Sequence, residues 1–233
     1  MALTFHYLSG SPFSWRVWLA LEHKTLQYDL RVLRADAGDL KSPEYLSVNP
    51  HGKAPAIDLD GFSLYESNAI VEFLEERFPT QGRPLWPRDP EQRAIGRRMV
   101  SEADTCLYPP VRRCVAELML RKSGLPDYAS IEMASASIAS ALALYSRTLE
   151  GPFLLGSEPT AADYALYPLS SMVLRLDRRH PAAGFASLIS SPLKTWRSHV
   201  EALPFFDRTY PPHWKYEAGA PTQQLPGTNR AAQ

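Results

Sequence analysis

The sequence predicts two units of different class in series: an α+β unit over residues 1–80 and an all-helical unit over residues 91–206. Three observations carry this. Short β-rich runs alternate with helical periodicity as far as Phe78. Pro79, Gly82, Pro84, Pro87 and Pro90 then crowd one stretch. Beyond them, apolar positions recur only at helical spacing. A linker at 81–90 and a C-terminal extension at 207–233 complete the expected layout.

Taken in order, Leu3 to Leu8 reads as a strand, and Ser9-Gly10-Ser11-Pro12-Phe13-Ser14 breaks it. Val17, Leu19, Ala20 and Leu21 supply the apolar content of a helix beginning near Ser14, and Tyr28 to Leu33 is a second strand. Strand, helix, strand at this spacing predicts a parallel pair with a right-handed crossover. Asn49-Pro50-His51-Gly52 is a turn cluster. Ala54 to Leu59 is a strand interrupted at Pro55, and Asp60-Gly61 is a hairpin turn because both positions tolerate positive φ. Phe62 to Tyr65 returns, and Ile70, Phe73, Leu74 and Phe78 mark one helix face. This βαβ followed by ββα is the thioredoxin-like layout, with Ser11 to Ser14 at the N-terminus of its first helix.

In the second unit, Ile95, Met99, Ala103, Cys106 and Leu107 form an apolar face continued by Val111, Cys114, Val115 and Leu118. Pro109-Pro110 should kink or break that helix near Tyr108. Ile131, Ala134, Ile138, Leu142, Tyr145 and Leu149 form a second face, read as a core seam of a bundle. Thr160 and Asp163 have the spacing of a capping box, which makes Asp163 structural. Leu193, Trp196, Val200 and Leu203 make a last short helix. Tyr216 to Gln233 lacks periodicity and reads as a flexible or surface-draped tail.

With 233 residues, 45% of them hydrophobic, the chain can bury a sizeable core. Lys plus Arg and Asp plus Glu balance at 25 each, so no global field attracts nucleic acid or an anionic membrane. No leader pattern and no long apolar run is present, which predicts a cytoplasmic protein. Cys106 and Cys114, on one helix, would lie about 12 Å apart along its axis. That is too far for a disulfide, so both are expected as core thiols in a reducing compartment. No phosphate loop and no metal-ligand spacing appears.

Two stretches carry chemistry. Glu66-Ser67 opens a helix after a strand: a carboxylate for an ammonium beside a hydroxyl and helix dipole for a carboxylate. Together they suit an α-amino-acid head group, although the same residues also read as an ordinary capped helix. At Ser11 to Ser14, oxygen stands where thiol-disulfide enzymes of this layout carry sulfur. A serine hydroxyl cannot exchange disulfides, but it can donate to a bound thiolate. Stabilising a thiolate by two pKa units takes about 2.7 kcal/mol, within reach of one charge-assisted hydrogen bond plus the helix dipole.

The run Asn49, Pro50, Gly52, Pro55, Glu66, Ser67, Ala69 and Ile70 resembles the glutathione-binding half of the cytosolic glutathione S-transferase family. The resemblance covers residues 3–206, densest in the first 80. It implies a thioredoxin-like N-terminal domain (βαβαββα), an all-α helical-bundle C-terminal domain, a homodimer, and glutathione as co-substrate with no metal. It also implies a cis Pro55 that turns the Ala54 backbone toward the cysteinyl part of glutathione, with Glu66 and Ser67 on the γ-glutamyl group. Ser14-Trp15-Arg16-Val17 is similar to zeta-class members, and alignment on it makes Ser11 the thiol-activating serine. Ser11-Pro12-Phe13 is as in tau members, so a serine-type protein of zeta, tau or phi character is expected. Tyr7 is the rival activator, with Ser9 and Ser14 behind it. Phe13, Lys41 and Lys53 are further expected glutathione contacts, with His51 a weaker one. A small hydrophobic electrophile should meet Tyr7, Phe13, Tyr108 and Arg112. The alternatives are a zeta-like isomerase, a dehalogenase, a peroxidase, or a non-catalytic binding protein of the same fold.

Overall fold

The computed structural model describes residues 2–149 and 151–215. The expected tail from Tyr216 onward lies outside the described residues. The N-terminal unit runs β1 (Leu3–Leu8), α1 (Pro12–His23), β2 (Asp29–Leu33), α2 (Pro43–Val48), β3 (Ala56–Leu59), β4 (Phe62–Tyr65) and α3 (Ser67–Arg77). The α2 helix fills the remaining place in the βαβαββα order. The four-stranded sheet is ordered β2-β1-β3-β4, with β1 parallel to β2 and antiparallel to β3. Strand β1 alternates buried and half-buried positions, putting Leu3, Phe5 and Tyr7 in the core. The β3–β4 turn has Asp60 at φ 51° and Gly61 at φ 89°, the two positive values a two-residue hairpin needs.

The helical unit comprises α4 (Pro90–Glu102), α5 (Tyr108–Val115), α6 (Tyr128–Thr148), α7 (Ala161–Arg179), α8 (Ser191–Glu201), α9 (Phe206–Thr209) and α10 (Pro212–Lys215). It packs on α1 through α7, with the rings of Trp15 and Tyr167 edge to face at 5.4 Å. The capping box forms at Thr160 and Asp163. Asp163 is fully buried, and its carboxylate accepts from the backbones of Leu154 and Thr160, the Thr160 hydroxyl and the Trp196 indole. Among the described residues no helix is long and apolar enough to cross a membrane.

Several sequence expectations are refined. Helix α1 begins at Pro12, because Ser11 rather than Ser14 is its N-cap. Strand β3 starts at Ala56, after the Ala54–Pro55 bond, which is cis. Pro109-Pro110 does not end the helical run, but the α ladder is interrupted beside it and resumes at Tyr108. A π-helical turn, Ala103–Leu107, precedes α5, and the prolines sit in the first turn of α5, where no backbone N–H is needed. That wider turn rotates the buried face, so Ala103, Leu107, Val111 and Cys114 point inward while Cys106 is exposed, not a core thiol. The described part of the chain past Pro204, as far as Lys215, packs on the body. Phe206, Thr209 and Trp214 are buried, and the Thr209 hydroxyl accepts from the Trp15 indole at 3.0 Å.

Candidate glutathione and thiol site

Strand register brings the site together. Ala56 pairs with His6 on one side and with Tyr65 on the other. Pro55, Glu66 and the turn after β1 therefore converge at one end of the sheet, beside the N-termini of α1 and α3. In that turn Gly10 takes φ 82°, which a side chain would resist. Ser11 follows in extended backbone, and its Oγ accepts from the Ser14 N–H at 3.3 Å. The Ser11 hydroxyl proton remains available to a ligand. Ser14 is fully buried, and its Oγ accepts from the Leu8 N–H.

Tyr7 lies buried beneath this turn rather than open to a ligand. Its ring is 1% exposed and stands 4.6 Å from that of Trp18. Its hydroxyl donates a long 3.5 Å bond to Ser9, and burial pushes its pKa up. A phenol in this setting resists ionisation.

Glu66 is a non-glycine residue at φ 70°, ψ 113°, outside the usual left-handed basin. Such a conformation costs about 1–3 kcal/mol and is concentrated at functional sites. It turns the chain so that Ser67 opens α3, where the first backbone N–H groups have no intrahelical partner. Ser67 Oγ accepts from Arg16 Nη1 at 3.2 Å. Arg16 is 2% exposed and also donates to Asp104 at 2.6 and 3.1 Å and to Asn68 Oδ1. Asn68 Nδ2 completes the knot by donating to Asp104 at 2.8 Å. One guanidinium thus ties α1, α3 and the π turn of the second unit.

The same guanidinium lies over the Phe13 ring at 5.3 Å, and Phe13 meets Tyr108 edge to face at 4.7 Å. Arg112, one turn on, is exposed. On the other flank, Tyr45 and Asn49 both donate to the Lys53 carbonyl, at 2.5 and 2.6 Å, and hold the approach to Pro55. The side chains of Lys41, His51 and Lys53 are exposed along that rim, and Ala54 is half-buried. A cavity of about 320 Å³ between the two units includes Arg16, Asn68, Asp104 and Thr105 in its wall, but neither Ser11 nor Phe13. It lies on the Arg16–Asn68–Asp104 side and does not contain the Ser11 turn.

Sequence reasoning passed over Arg16, Asn68 and Asp104 as site residues. A signal existed for two of them: a charge inside an apolar helical face, at Arg16 between Trp15 and Val17 and at Asp104 beside Ala103, requires a buried partner. Among the described residues no group of three His, Cys, Asp or Glu could hold a metal ion.

The family pattern for the glutathione S-transferase N-terminal domain matches residues 10–77, and that for the C-terminal domain matches residues 128–226. A maleylacetoacetate isomerase of Dictyostelium discoideum is 33% identical over 67% of this chain and 72% of its own length. Glutathione S-transferase A of Pleuronectes platessa is 26% identical over 91% of this chain and 92% of its own. Among solved structures, a glutathione S-transferase from the Antarctic clam Laternula elliptica superposes with TM-score 0.76 at 26% identity, covering 92% of this chain and 94% of its own. The chain belongs to the cytosolic glutathione S-transferase family.

Proposed function

We propose that this transferase activates the glutathione thiol as a thiolate at Ser11 and directs it at a hydrophobic electrophile. The observation that carries the reading is Ser11 itself, half-buried at the N-cap of α1 with a proton to donate, while Tyr7 is buried and harder to ionise. Glu66 and Ser67 hold the γ-glutamyl group at the α3 N-terminus, and the Ala54 backbone beside Pro55 takes the cysteinyl part. Phe13, Lys41 and Lys53 complete the glutathione contacts. The electrophile lies against Phe13 and Tyr108, with Arg112 at the solvent edge. Two copies pair through the face bearing Phe62 and Phe73, whose rings are 5.2 Å apart with Phe62 half exposed. The cytoplasm is the proposed compartment.

The test is the ultraviolet difference spectrum of bound glutathione, titrated with pH, for wild type and Ser11→Ala. Wild type should show thiolate near neutrality. The variant should bind glutathione with its thiol pKa raised by about one to two units. Equal thiolate signals would move the role away from Ser11, and failure of wild type to bind glutathione would leave a binding protein of the same fold.

A second reading is maleylacetoacetate isomerase activity, favoured by the 33%-identical relative of that name and by Ser14-Trp15-Arg16-Val17. Turnover of maleylacetoacetate, compared with conjugation of chlorodinitrobenzene, separates the two.

A further inference from the structure

The turn that presents Ser11 has a tether from the far end of the chain. His213 Nδ1 and Ser9 Oγ share a 2.8 Å hydrogen bond, and Ser9 also receives the Tyr7 hydroxyl. His213 rests on Gly10 as well: a Cβ built there would meet His213 Cε1 at 3.0 Å and Trp214 Nε1 at 3.3 Å. The glycine is therefore required twice, for its positive φ and for the closeness of α10. Helix α10 is itself anchored. Trp214 is 4% exposed, edge to face with Trp15 at 5.5 Å, and carries the Arg175 guanidinium over its ring at 5.0 Å.

From inside the β1–α1 unit, Leu8 holds this turn through its carbonyl to the Ser11 N–H and its N–H to Ser14 Oγ. Ser9 and Gly10 are held from the core by the Tyr7 hydroxyl, through a long 3.5 Å bond to Ser9, and from the C-terminal side by His213, through the shorter one. Ser11 follows Gly10 directly, so the aim of its hydroxyl depends on where those two residues sit. A thiolate-stabilising hydrogen bond weakens steeply as its angle degrades.

We propose that His213 is a positioning residue of the thiol site: through Ser9 and Gly10 it sets the direction of the Ser11 hydroxyl. The inference rests on the assignment of Ser11 as the activating residue. It adds that a C-terminal element, outside both glutathione-holding segments, tunes thiolate stability without contacting the γ-glutamyl end.

The experiment uses full-length His213→Ala, His213→Asn and Ser9→Ala. For each, the glutathione Kd, the ultraviolet thiolate titration of bound glutathione, and kcat and KM with chlorodinitrobenzene are measured. His213→Ala and Ser9→Ala should each raise the bound thiol pKa by about half a unit to one unit and lower kcat about three- to tenfold. Kd for glutathione should stay within about twofold, since Glu66 and Ser67 are untouched. His213→Asn, whose amide can occupy the Nδ1 position, should restore most of the loss. The double alanine variant should be no worse than either single one. If both alanine variants keep the wild-type thiol pKa and kcat, or only weaken Kd, the proposal is overturned while the Ser11 assignment stands. A wild type without a thiolate signal overturns both. Should His213→Ala lower the melting temperature enough to unfold, His213→Phe, which keeps a ring against Gly10 but has no Nδ1, carries the test.

Discussion

At the scale of single residues, the balance between burial and partnering decides which charges matter. Arg16 is almost wholly enclosed, and its desolvation is offset only because Asp104, Asn68 and Ser67 surround it. Asp104 is 22% exposed, so the pair is not sealed, but its removal leaves a buried guanidinium with neutral acceptors alone. Asp104→Ala should therefore cost about 3 kcal/mol of unfolding free energy, read from urea denaturation. It should also weaken glutathione binding, because the Ser67 hydroxyl and the Asn68 amide lose their fixed directions. A variant as stable as wild type with unchanged binding would show that the knot is incidental. Ser11, Glu66 and Ser67 were legible in the sequence because each stands at a local break, where a helix starts. The knot was not, since Arg16 and Asp104 are 88 positions apart and nothing local pairs them.

At the scale of elements, the C-terminal end of α1 is joined to the linker and α7 by one histidine. Nε2 of His23 lies 3.1 Å from the Pro84 carbonyl and Nδ1 lies 2.6 Å from the Tyr164 hydroxyl. The carbonyl can only accept, so Nε2 carries the proton and Nδ1 accepts from the tyrosine. A neutral ring satisfies both contacts, and protonation would remove the acceptor. Burial lowers the His23 pKa to about 4. In the unfolded chain the ring takes its proton near pH 6.5, so the unfolded state binds more protons between pH 6.5 and 4. Stability from this group is complete above pH 6.5 and is lost as pH falls toward 4, by about 3 kcal/mol in all. Urea unfolding at pH 7 and pH 4.5 should show that slope in wild type and a flatter one in His23→Gln. Parallel curves would rule His23 out as the source. Periodicity gave no hint of this joint, because it depends on where the linker folds back. The hairpin at Asp60-Gly61 was legible, since its φ requirement is written in two adjacent residues.

At the scale of the whole molecule, the change from alternating to helical periodicity at the proline-rich stretch marks where the sheet-bearing unit gives way to the bundle. Packing between the units was not readable: Trp15 entered the sequence reading only as part of Ser14-Trp15-Arg16-Val17, yet it meets Tyr167, Tyr210 and Trp214 of the second unit. The surface carries one more consequence. Phe62 is 51% exposed at the β4 edge, against Phe73 of α3. Covering the exposed half of a phenylalanine is worth about 1 kcal/mol, and two-fold symmetry counts it twice in an isologous contact. Phe62→Glu would also bring like charges together across the axis. The dimer constant should weaken by at least about a hundredfold, since about 1.4 kcal/mol is tenfold. The side chain points out of the sheet, so the subunit should keep its melting transition at high concentration. Sedimentation at micromolar protein should then give a dimer for wild type and a monomer for the variant. A wild type that sediments as a monomer, or a variant that stays dimeric, would place the subunit contact elsewhere or remove it.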